Sequence, residues 1–399
     1  MTSGRSAERR QDAAAVVTGY AAVPPLGDTD ATWEAVLAGR SAARSWPDLD
    51  ELPVPVACRV AHVPAGDPRH RGRDLAGRAV GQAVAHAGID LQSFDPARVG
   101  VFVGTTMGES AAYELAVDDG DASAFDVDGA AGQVFGRHVA ELVGSRGPVR
   151  VFGTACAAGN YAIGAAADAV RSGAVDVAIA GGVEPFSRIA AVGFARMRAM
   201  TPDLCRPFVA GRRGMQLGEG AAFVIVERAD EAQRRGATTR ARVGTLGLAS
   251  DAYHPTSPRP DGSGMASAMA GALRRSGIEA PGIGWVSAHG TGTLQSDAAE
   301  ALALGTVFGA GGVPVSSVKG AIGHAMGAAA AIEAVLSVRA LETGVVPPNV
   351  NGEAPDPALR LDVVTTARGA GPRAVLSCAY AFGGLCSALP FEVPARSAA

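Results

Sequence analysis

The stretch that decides the fold is VRVFGTACAAGNYAIGAAADAV, residues 149–170, where a valine-rich run stops at Gly153 and an alanine-rich run follows. The first part has the composition of a strand, and the second has the length and composition of a helix. Cys156 therefore stands at a predicted strand-to-helix turn, where backbone N–H groups and the positive helix end favour a thiolate. Taken alone, a free cysteine is more often a small buried apolar residue.

Runs of these two kinds alternate along the rest of the chain, which predicts an α/β fold. The two series of strand-like runs, before and after about residue 230, are similar in order and predict two related halves. We divide the chain into a polar tail at 1–15, an N-terminal half at 16–240 and a C-terminal half at 241–395. The strand-like runs are 14–23, 98–106, 149–155, 176–183, 221–227, 241–248, 283–290, 313–320, 373–380 and 387–393. The helix-like runs are 72–89, 158–173, 262–277, 297–308 and 328–344.

Composition excludes several classes of function. The 399 residues are 48% hydrophobic and 19% charged, with a net charge of −4, so the chain is globular and carries no overall basic field for nucleic acid. No run approaches the ~20 apolar residues of a membrane helix, and the first 14 residues lack an apolar segment. Five scattered cysteines predict neither a disulfide framework nor a metal site. We expect a cytoplasmic protein.

Two histidines also follow predicted strands and stand in glycine-rich segments. They are His289 in WVSAHGTGTLQSDAAE and His324 in VSSVKGAIGHAMGAA. Because strand ends at one edge of a sheet can converge, we expect both to meet Cys156 at one site. The remaining histidines lack such a setting and are expected to be structural or at the surface, with His254 on a loop: His62, His70, His86, His138 and His254.

Five motifs together resemble the β-ketoacyl-acyl-carrier-protein synthases, the elongating condensing enzymes of fatty acid and polyketide synthesis. The resemblance covers nearly the whole chain, from VVTGYAAVPPLG to ALPFE, and implies a thiolase-like duplicated layered α/β/α/β/α fold. It also implies a homodimer, or a heterodimer with a related ketosynthase-like subunit, and an acyl carrier protein as partner. The motifs are GTACAAG (153–159), DAYHPTSP (251–258), HGTGT (289–293), VKGAIGHAMGAA (318–329) and AYAFGG (379–384).

The resemblance assigns the chemistry to three residues. Cys156 would accept an acyl group as a thioester, which is covalent catalysis. His289 and His324 would assist decarboxylation of a malonyl-type extender and donate hydrogen bonds to the enolate oxygen. The backbone N–H groups of Cys156 and Phe382 would form an oxyanion hole, the latter presented by the turn that contains Gly383.

Two charged residues are assigned supporting roles by the same resemblance. Lys319 would order the histidines and Glu300 electrostatically, and the alternative for Lys319 is an ordinary solvated lysine. Glu300 has an equally good structural interpretation, because DAAE at 297–300 fits a helix-capping box with Asp297 as the N-cap.

Substrate contacts are implied at Thr256, Thr291, Thr293 and Met107, in addition to Met215 and Gly383. Thr256, Thr291 and Thr293 would bind the phosphopantetheine arm, although threonine is also common in turns. The arm belongs to the carrier protein, so no cofactor is expected on the synthase itself. Met107 would cap the acyl pocket from across the dimer interface, or fill core space as methionine often does. The carrier would dock on a basic rim made from Arg69, Arg71, Arg73, Arg206, Arg212 and Arg213.

Some residues depart from the family pattern. Arg213 and Met215 stand where an aspartate and a phenylalanine are usual, Leu385 and Cys386 stand where an asparagine is common, and GTTMGES replaces a glycine-rich loop. These departures favour a specialised polyketide-type enzyme over bulk fatty acid synthesis, with Met215 and Gly383 as substrate contacts. Three other functions stay open: a thiolase using Cys378 or Cys386, a non-catalytic chain-length factor, and an acyltransferase that forms an ester or amide.

Overall fold

The computed structural model describes residues 14–64, 66–120 and 131–394, so most of the predicted tail at 1–15 lies outside the described residues. The strands are β1 (Ala15–Val23), β2 (Arg44–Ser45), β3 (Val56–Ala57), β4 (Val99–Gly104), β5 (Val149–Phe152), β6 (Val177–Glu184), β7 (Gly220–Arg228), β8 (Ala241–Val243), β9 (Gly247–Ser250), β10 (Trp285–Ser287), β11 (Pro314–Ser316), β12 (Val345–Val346), β13 (Asp362–Val363), β14 (Arg368–Gly369), β15 (Ala374–Ala381) and β16 (Leu385–Glu392). The helices are α1 (Thr29–Leu37), α2 (Arg71–Ala87), α3 (Ser110–Asp118), α4 (Gln133–Val143), α5 (Ala158–Arg171), α6 (Arg188–Arg196), α7 (Ala229–Arg234), α8 (Ser263–Ser276), α9 (Leu294–Phe308), α10 (Lys319–Ile322) and α11 (Met326–Thr343).

The same strand order occurs twice in the sheet. In the first half the order is β1-β7-β6-β4-β5, and in the second half it is β9-β16-β15-β10-β11, extended by β13. Both halves also share strand directions: β4 lies parallel to β5 and β6, as β10 lies parallel to β11 and β15, and the other pairs within these two sets of five strands are antiparallel. The added strand β13 lies parallel to β11. The duplicated fold predicted from the sequence is therefore confirmed, while the domain boundary at residue 240 stays a prediction.

Strand β8 joins the two halves into one sheet, because it pairs with β1 on one side and with β16 on the other. The prediction of a single strand at 241–248 is wrong. The run divides into β8 and β9, and β9 pairs only with β16. Neighbouring strands of the two halves thereby share backbone hydrogen bonds at the middle of the molecule.

Side chains that alternate along each strand divide the protein into layers. On β6, Val177 and Ile179 face the outer helices α2 and α4, whereas Ala178 and Ala180 face the central helices α5 and α11. A second outer layer, formed by α8 and α9, packs on the strands of the other half. Within the described residues, no helix is both long and apolar enough to cross a membrane.

The two central helices approach each other very closely near their N-terminal ends. A Cβ atom added to Gly159 of α5 would lie 2.4 Å from the backbone nitrogen of Ala331 in α11. Only small residues fit such a contact, which explains the alanine and glycine content of both helices. The close packing brings the segments that precede the two helices to one place.

Candidate active site

Cys156 lies at the start of α5, in the strand-to-helix turn that the sequence predicts. Strand β5 ends at Phe152, a 3₁₀ turn spans Ala155–Ala157, and α5 follows directly. Ala155 has a φ of 47°, which is uncommon for a residue with a side chain and is found at functional sites. The thiol is 8% exposed, so a reagent can reach it only through a narrow opening.

His324 occupies the corresponding position ahead of α11. Its backbone N–H donates to the carbonyl of Gln216 at 2.8 Å, and its carbonyl accepts from the N–H of Gly218 at 3.0 Å. These two bonds fix the backbone on both sides of the side chain. The Nε2 atom then lies 3.0 Å from the Sγ atom of Cys156. This is the spacing that proton transfer between a thiol and an imidazole requires.

His289 completes the trio from the end of β10. Its ring lies 5.4 Å from the ring of His324, measured between centroids, in an edge-to-face arrangement. The carboxylate of Glu300 accepts from the backbone N–H groups of His289 and Gly290, both at 2.8 Å. Glu300 is fully buried and holds the loop that presents His289.

The capping-box interpretation of Glu300 is wrong. Helix α9 begins at Leu294, three residues before Asp297, because Thr293 is its N-cap. Asp297 instead accepts from the N–H groups of Thr291 and Gly292, each at 3.1 Å. Both carboxylates therefore shape the HGTGT loop from within the first turns of α9.

Lys319 is an internal charge, so the alternative of a solvated lysine is wrong. Its side chain is 1% exposed, and its Nζ atom donates to Glu333 of α11, which is equally buried. Sequence reasoning missed Glu333. The available signal was a single acidic residue inside the apolar run AAAAIEAVLSV, since a lone buried charge requires a partner.

Burial favours the uncharged forms of Cys156, His289 and His324. Burial, helped by the charge of Lys319, holds the pKa values of His289 and His324 well below their ordinary range. Burial also raises the pKa of the Cys156 thiol to about 12, although Lys319 opposes this. Burial therefore opposes the effect of the helix end in the resting site, and the expectation of a thiolate stays a prediction.

One cavity of about 430 Å³ gathers most of the predicted site residues. Within the structure, Glu300, Lys319, Gly383 and Met107 do not line it. The Oγ1 atoms of Thr291 and Thr293 lie 3.1 Å apart on one side of it. The predicted residues that line it are Cys156, His289, His324, Phe382, Thr256, Thr291, Thr293 and Met215.

The turn after β15 brings Phe382 to the same cavity. Gly383 and Gly384 have φ values of 81° and 74°, which glycine adopts readily. The N–H of Gly383 donates to the carbonyl of Pro255 at 2.7 Å, so this turn is tied to the loop that carries Thr256. The ring of Phe382 is 37% exposed and lies 5.4 Å from that of Phe194.

Glu184, which sequence reasoning also missed, fixes the loop that carries Met107. Its carboxylate accepts from the N–H groups of Thr106 and Met107 at 2.7 and 2.8 Å, and from that of Gly327 at 2.8 Å. The side chain of Met107 packs against a buried cluster that includes Met215. The Met107 loop is thereby held to the start of α11.

The predicted basic rim is partly wrong. Arg212 is buried and pairs with Asp297 at 3.4 Å and Asp356 at 2.9 Å. Arg71 and Arg73 pair with the buried carboxylates of Glu219 and Glu109. Arg69 and Arg213 are exposed, and Arg206 is half-buried. Arg213 lines the cavity together with Arg198, a residue that sequence reasoning missed.

Among the described residues, the two cysteines considered for a thiolase lack the histidine contact of Cys156. Cys378 is fully buried in the sheet. Cys386 lines the cavity, but its Sγ atom lies 3.9 Å from Oδ1 of Asp251 and 3.7 Å from the carbonyl of Gly384, whereas the Sγ atom of Cys156 lies against an imidazole. In the described ranges, no group of three or more histidine, cysteine or acidic residues is arranged to hold a metal.

Comparisons with known proteins agree with this arrangement. The family model described as "Beta-ketoacyl synthase, N-terminal domain" matches residues 13–232, and its C-terminal counterpart matches residues 240–353. Nodulation protein E of Rhizobium meliloti (strain 1021) is 36% identical over 401 residues, covering 96% of this chain and 99% of that protein. The 3-oxoacyl-[acyl-carrier-protein] synthase 2 of the same strain is 35% identical, covering 94% and 97%.

Relatives named for polyketide synthesis are equally similar. The tetracenomycin polyketide synthase ketoacyl synthase alpha subunit of Streptomyces glaucescens is 34% identical, covering 98% of each chain. A solved structure described as the ishigamide ketosynthase/chain length factor superimposes with a TM-score of 0.88 at 33% identity. It covers 95% of this chain and 99% of that chain.

Proposed function

The chain belongs to the β-ketoacyl synthase family, and we propose on this basis that it elongates acyl chains by decarboxylative Claisen condensation. The acyl group is carried on Cys156, and the extender is a malonyl-type thioester on an acyl carrier protein. The pathway is polyketide or specialised fatty acid biosynthesis, as the names of the relatives indicate.

The observation that carries this proposal is the contact between Cys156 and a neutral His324, with a second neutral histidine beside it. A charged imidazole would protonate the enolate, whereas a neutral one stabilises it by hydrogen bonding. The Nδ1 atoms of His289 and His324 are buried without a partner in the described part of the chain, so no protein group locks either tautomer. Each ring can therefore accept or donate at Nε2.

In the first half-reaction the thiol proton passes to Nε2 of His324 while Sγ attacks the thioester carbonyl. The bond between the carbonyl carbon and the pantetheine sulfur breaks, and the leaving thiolate takes the proton back. The backbone N–H groups of Cys156 and Phe382 face the developing oxyanion. Their positions at the start of α5 and in the glycine turn after β15 support this role.

In the second half-reaction the extender loses its carboxylate as carbon dioxide, and the electron pair moves to the α-carbon. His289 and His324 donate to the enolate oxygen until the α-carbon attacks the Cys156 thioester. A carbon–carbon bond forms, the carbon–sulfur bond to Cys156 breaks, and the Cys156 thiolate takes one proton from water. The product is a β-ketoacyl thioester on the carrier protein.

The carrier protein supplies the phosphopantetheine arm, so we infer that the synthase requires no cofactor of its own. Thr256, Thr291 and Thr293 line the cavity where hydroxyls can bond the arm's amides. The enzyme works as a homodimer or with a ketosynthase-like partner, as the ketosynthase and chain length factor pairing in a similar structure supports. A reducing compartment suits five free cysteines, which favours the cytoplasm.

One experiment separates condensation from its alternatives. The protein is incubated with an acyl-carrier protein and then with a malonyl-carrier protein, and both partners are followed by mass spectrometry. We expect an acyl adduct on the peptide that contains Cys156, carbon dioxide release and a β-ketoacyl product two carbons longer. Cys386→Ser, which changes the other thiol lining the cavity, should behave as the parent does. Acyl transfer to an alcohol or amine without carbon dioxide, or no adduct at all, would overturn the proposal.

A further inference from the structure

Two arginines at the mouth of the catalytic cavity have no use in the chemistry described above. Arg198 follows α6 and Arg213 precedes β7 in the chain, and both line the cavity that holds Cys156. Both are exposed, and in the described part of the chain neither is ion-paired with a carboxylate. Arg206 nearby has Asp203 at 4.0 Å, and Arg188 pairs with Glu114 at 3.2 Å.

Burial increases from the arginines toward the thiol. Arg198, Arg213 and Thr256 are exposed, Thr293 is half-buried, and Thr291 and Cys156 are 5% and 8% exposed. All of them line the same cavity. A ligand whose thioester reaches Cys156 therefore has its far end beside the two guanidinium groups.

The positive charge in the cavity is confined to its mouth. Among the described residues that line it, Asp251 is the one carboxylate, and it is 93% buried. One oxygen of Asp251 accepts from the N–H of Arg259 at 2.9 Å, and the other has only the Cys386 thiol at 3.9 Å. The deep end holds neutral imidazoles. The exposed end is therefore the place for an anion.

The backbone conformation at Arg198 indicates that the arginine side chain itself has a role at this position. Its φ of 56° is in the left-handed region, which costs free energy for a residue other than glycine. Its N–H donates to the carbonyl of Ala195 at 2.9 Å, as in the common C-terminal turn of a helix. Glycine would adopt this conformation more easily, but it would not provide a cation.

We propose that Arg198 and Arg213 bind the phosphate of the phosphopantetheine arm while the thioester at the other end reaches Cys156. The proposal rests on the proposed function, because it requires a pantetheine thioester in this cavity. A guanidinium group matches two phosphate oxygens at once, which suits a fixed anion better than a mobile chain. The malonyl carboxylate cannot take this place, since it lies next to the thioester in the deep end.

Arg213 allows the local charge to be reversed with one substitution. An aspartate at this position would repel a phosphate at the same mouth. The substitution Arg213→Asp therefore replaces an attraction for the phosphate with a repulsion. It is the sharpest single change available for a test.

The test compares two small substrates that carry the same acyl group. Acyl-phosphopantetheine and acyl-pantetheine differ only in the phosphate, and the rate of Cys156 acylation is followed by intact-protein mass spectrometry. We expect the parent to prefer the phosphorylated substrate by about tenfold, the effect of one charged hydrogen bond. Arg198→Gln and Arg213→Gln should each lower this ratio about threefold, and Arg213→Asp should remove the preference.

The ratio of the two acylation rates is an internal standard, because a general loss of activity lowers both rates together. Arg196→Gln is the matched control, since Arg196 is exposed and lies two residues from Arg198 but does not line the cavity. Equal rates for the two substrates in the parent would overturn the phosphate site and leave the proposed function intact. Arginine variants that slow only carrier-borne substrates would overturn it too, in favour of contacts with the carrier's surface. Failure of every thioester to label Cys156 would instead overturn the proposed function.

Discussion

The Nε2 atom of His324 lies 3.0 Å from the Sγ atom of Cys156, although 168 positions separate the two residues in the chain. Each residue directly precedes one of the central helices, α5 or α11. The two helices occupy the same place in the repeated topology, because they follow the equivalent strands β5 and β11. Duplication of the fold therefore brings Cys156 and His324, the proposed nucleophile and base, together at one site.

Removal of the cysteine should stop acyl loading, whereas removal of either histidine should stop condensation. Cys156→Ala should abolish acyl loading, because no other group forms the covalent bond. His289→Ala should leave loading measurable and stop condensation. His324→Ala should also stop condensation and slow loading about a hundredfold, the usual contribution of a general base. Acyl-adduct formation and β-ketoacyl product, measured on the same samples, check this order, and full condensation by either histidine variant would contradict it.

Alkylation of Cys156 by iodoacetamide should rise with pH through the whole range from about 6 to 9.5. Burial raises the pKa of this thiol to about 12, so the thiolate fraction keeps increasing over that range. Peptide mass spectrometry of Cys156 after timed alkylation gives the rate. A plateau below pH 7 would show that the helix end lowers the pKa more than burial raises it.

Lys319→Met should destabilise the protein far more than the double variant Lys319→Met/Glu333→Gln. The single change leaves the buried Glu333 without its cation, at a cost of about 3–5 kcal/mol, whereas the double change removes both charges. Denaturant unfolding of the three proteins measures the difference. Equal losses in the single and double variants would mean that the ion pair itself is not what stabilises this region.

The double variant Lys319→Met/Glu333→Gln should also alter the pH dependence of condensation. The charge of Lys319 lowers the pKa values of both catalytic histidines, so its removal raises them. The acidic limb of the pH profile should therefore move to higher pH in the double variant, which keeps its stability. An unchanged profile would show that burial alone keeps the imidazoles neutral.

Met107 should control chain length if it caps the acyl pocket from across a dimer interface. Met107→Ala should favour longer acyl chains and Met107→Trp should exclude them, while Glu184 keeps the loop in place in both. Each methylene contributes about 0.8 kcal/mol on burial, so a two-carbon difference should alter relative loading about tenfold. Loading rates across a series of acyl lengths decide this. Profiles that overlay the parent's would place Met107 outside the pocket.

The sequence was informative where the chemistry stands at strand ends. Cys156, His289 and His324 were predicted from glycine-rich motifs that follow apolar runs, and the structure brings all three together. The layered α/β architecture followed from the alternation of strands and helices. Buried acidic residues within helices or strands, such as Glu333 and Glu184, do not stand in such motifs and were not predicted.

Glu333 and Glu184 show what was missed. Each is a single acidic residue in an apolar segment. Glu184 accepts from Gly327, 143 residues further along the chain, and Glu333 pairs with Lys319 of a different helix, 14 residues before it. Local pattern carries no information on such pairings. The same reason explains why Asp297 was taken for a helix cap and Arg212 for a surface residue, since only the folded chain places them against each other.

The most direct test of the central claim is a single-turnover experiment on the acylated enzyme. Protein carrying an acyl group on Cys156 is freed of excess substrate and mixed with malonyl-carrier protein. The adduct on Cys156 should then disappear at the rate at which carbon dioxide and the β-ketoacyl product appear, in a ratio of one to one to one. An adduct that persists while carbon dioxide is released, or a product formed without loss of the adduct, would contradict condensation on this cysteine.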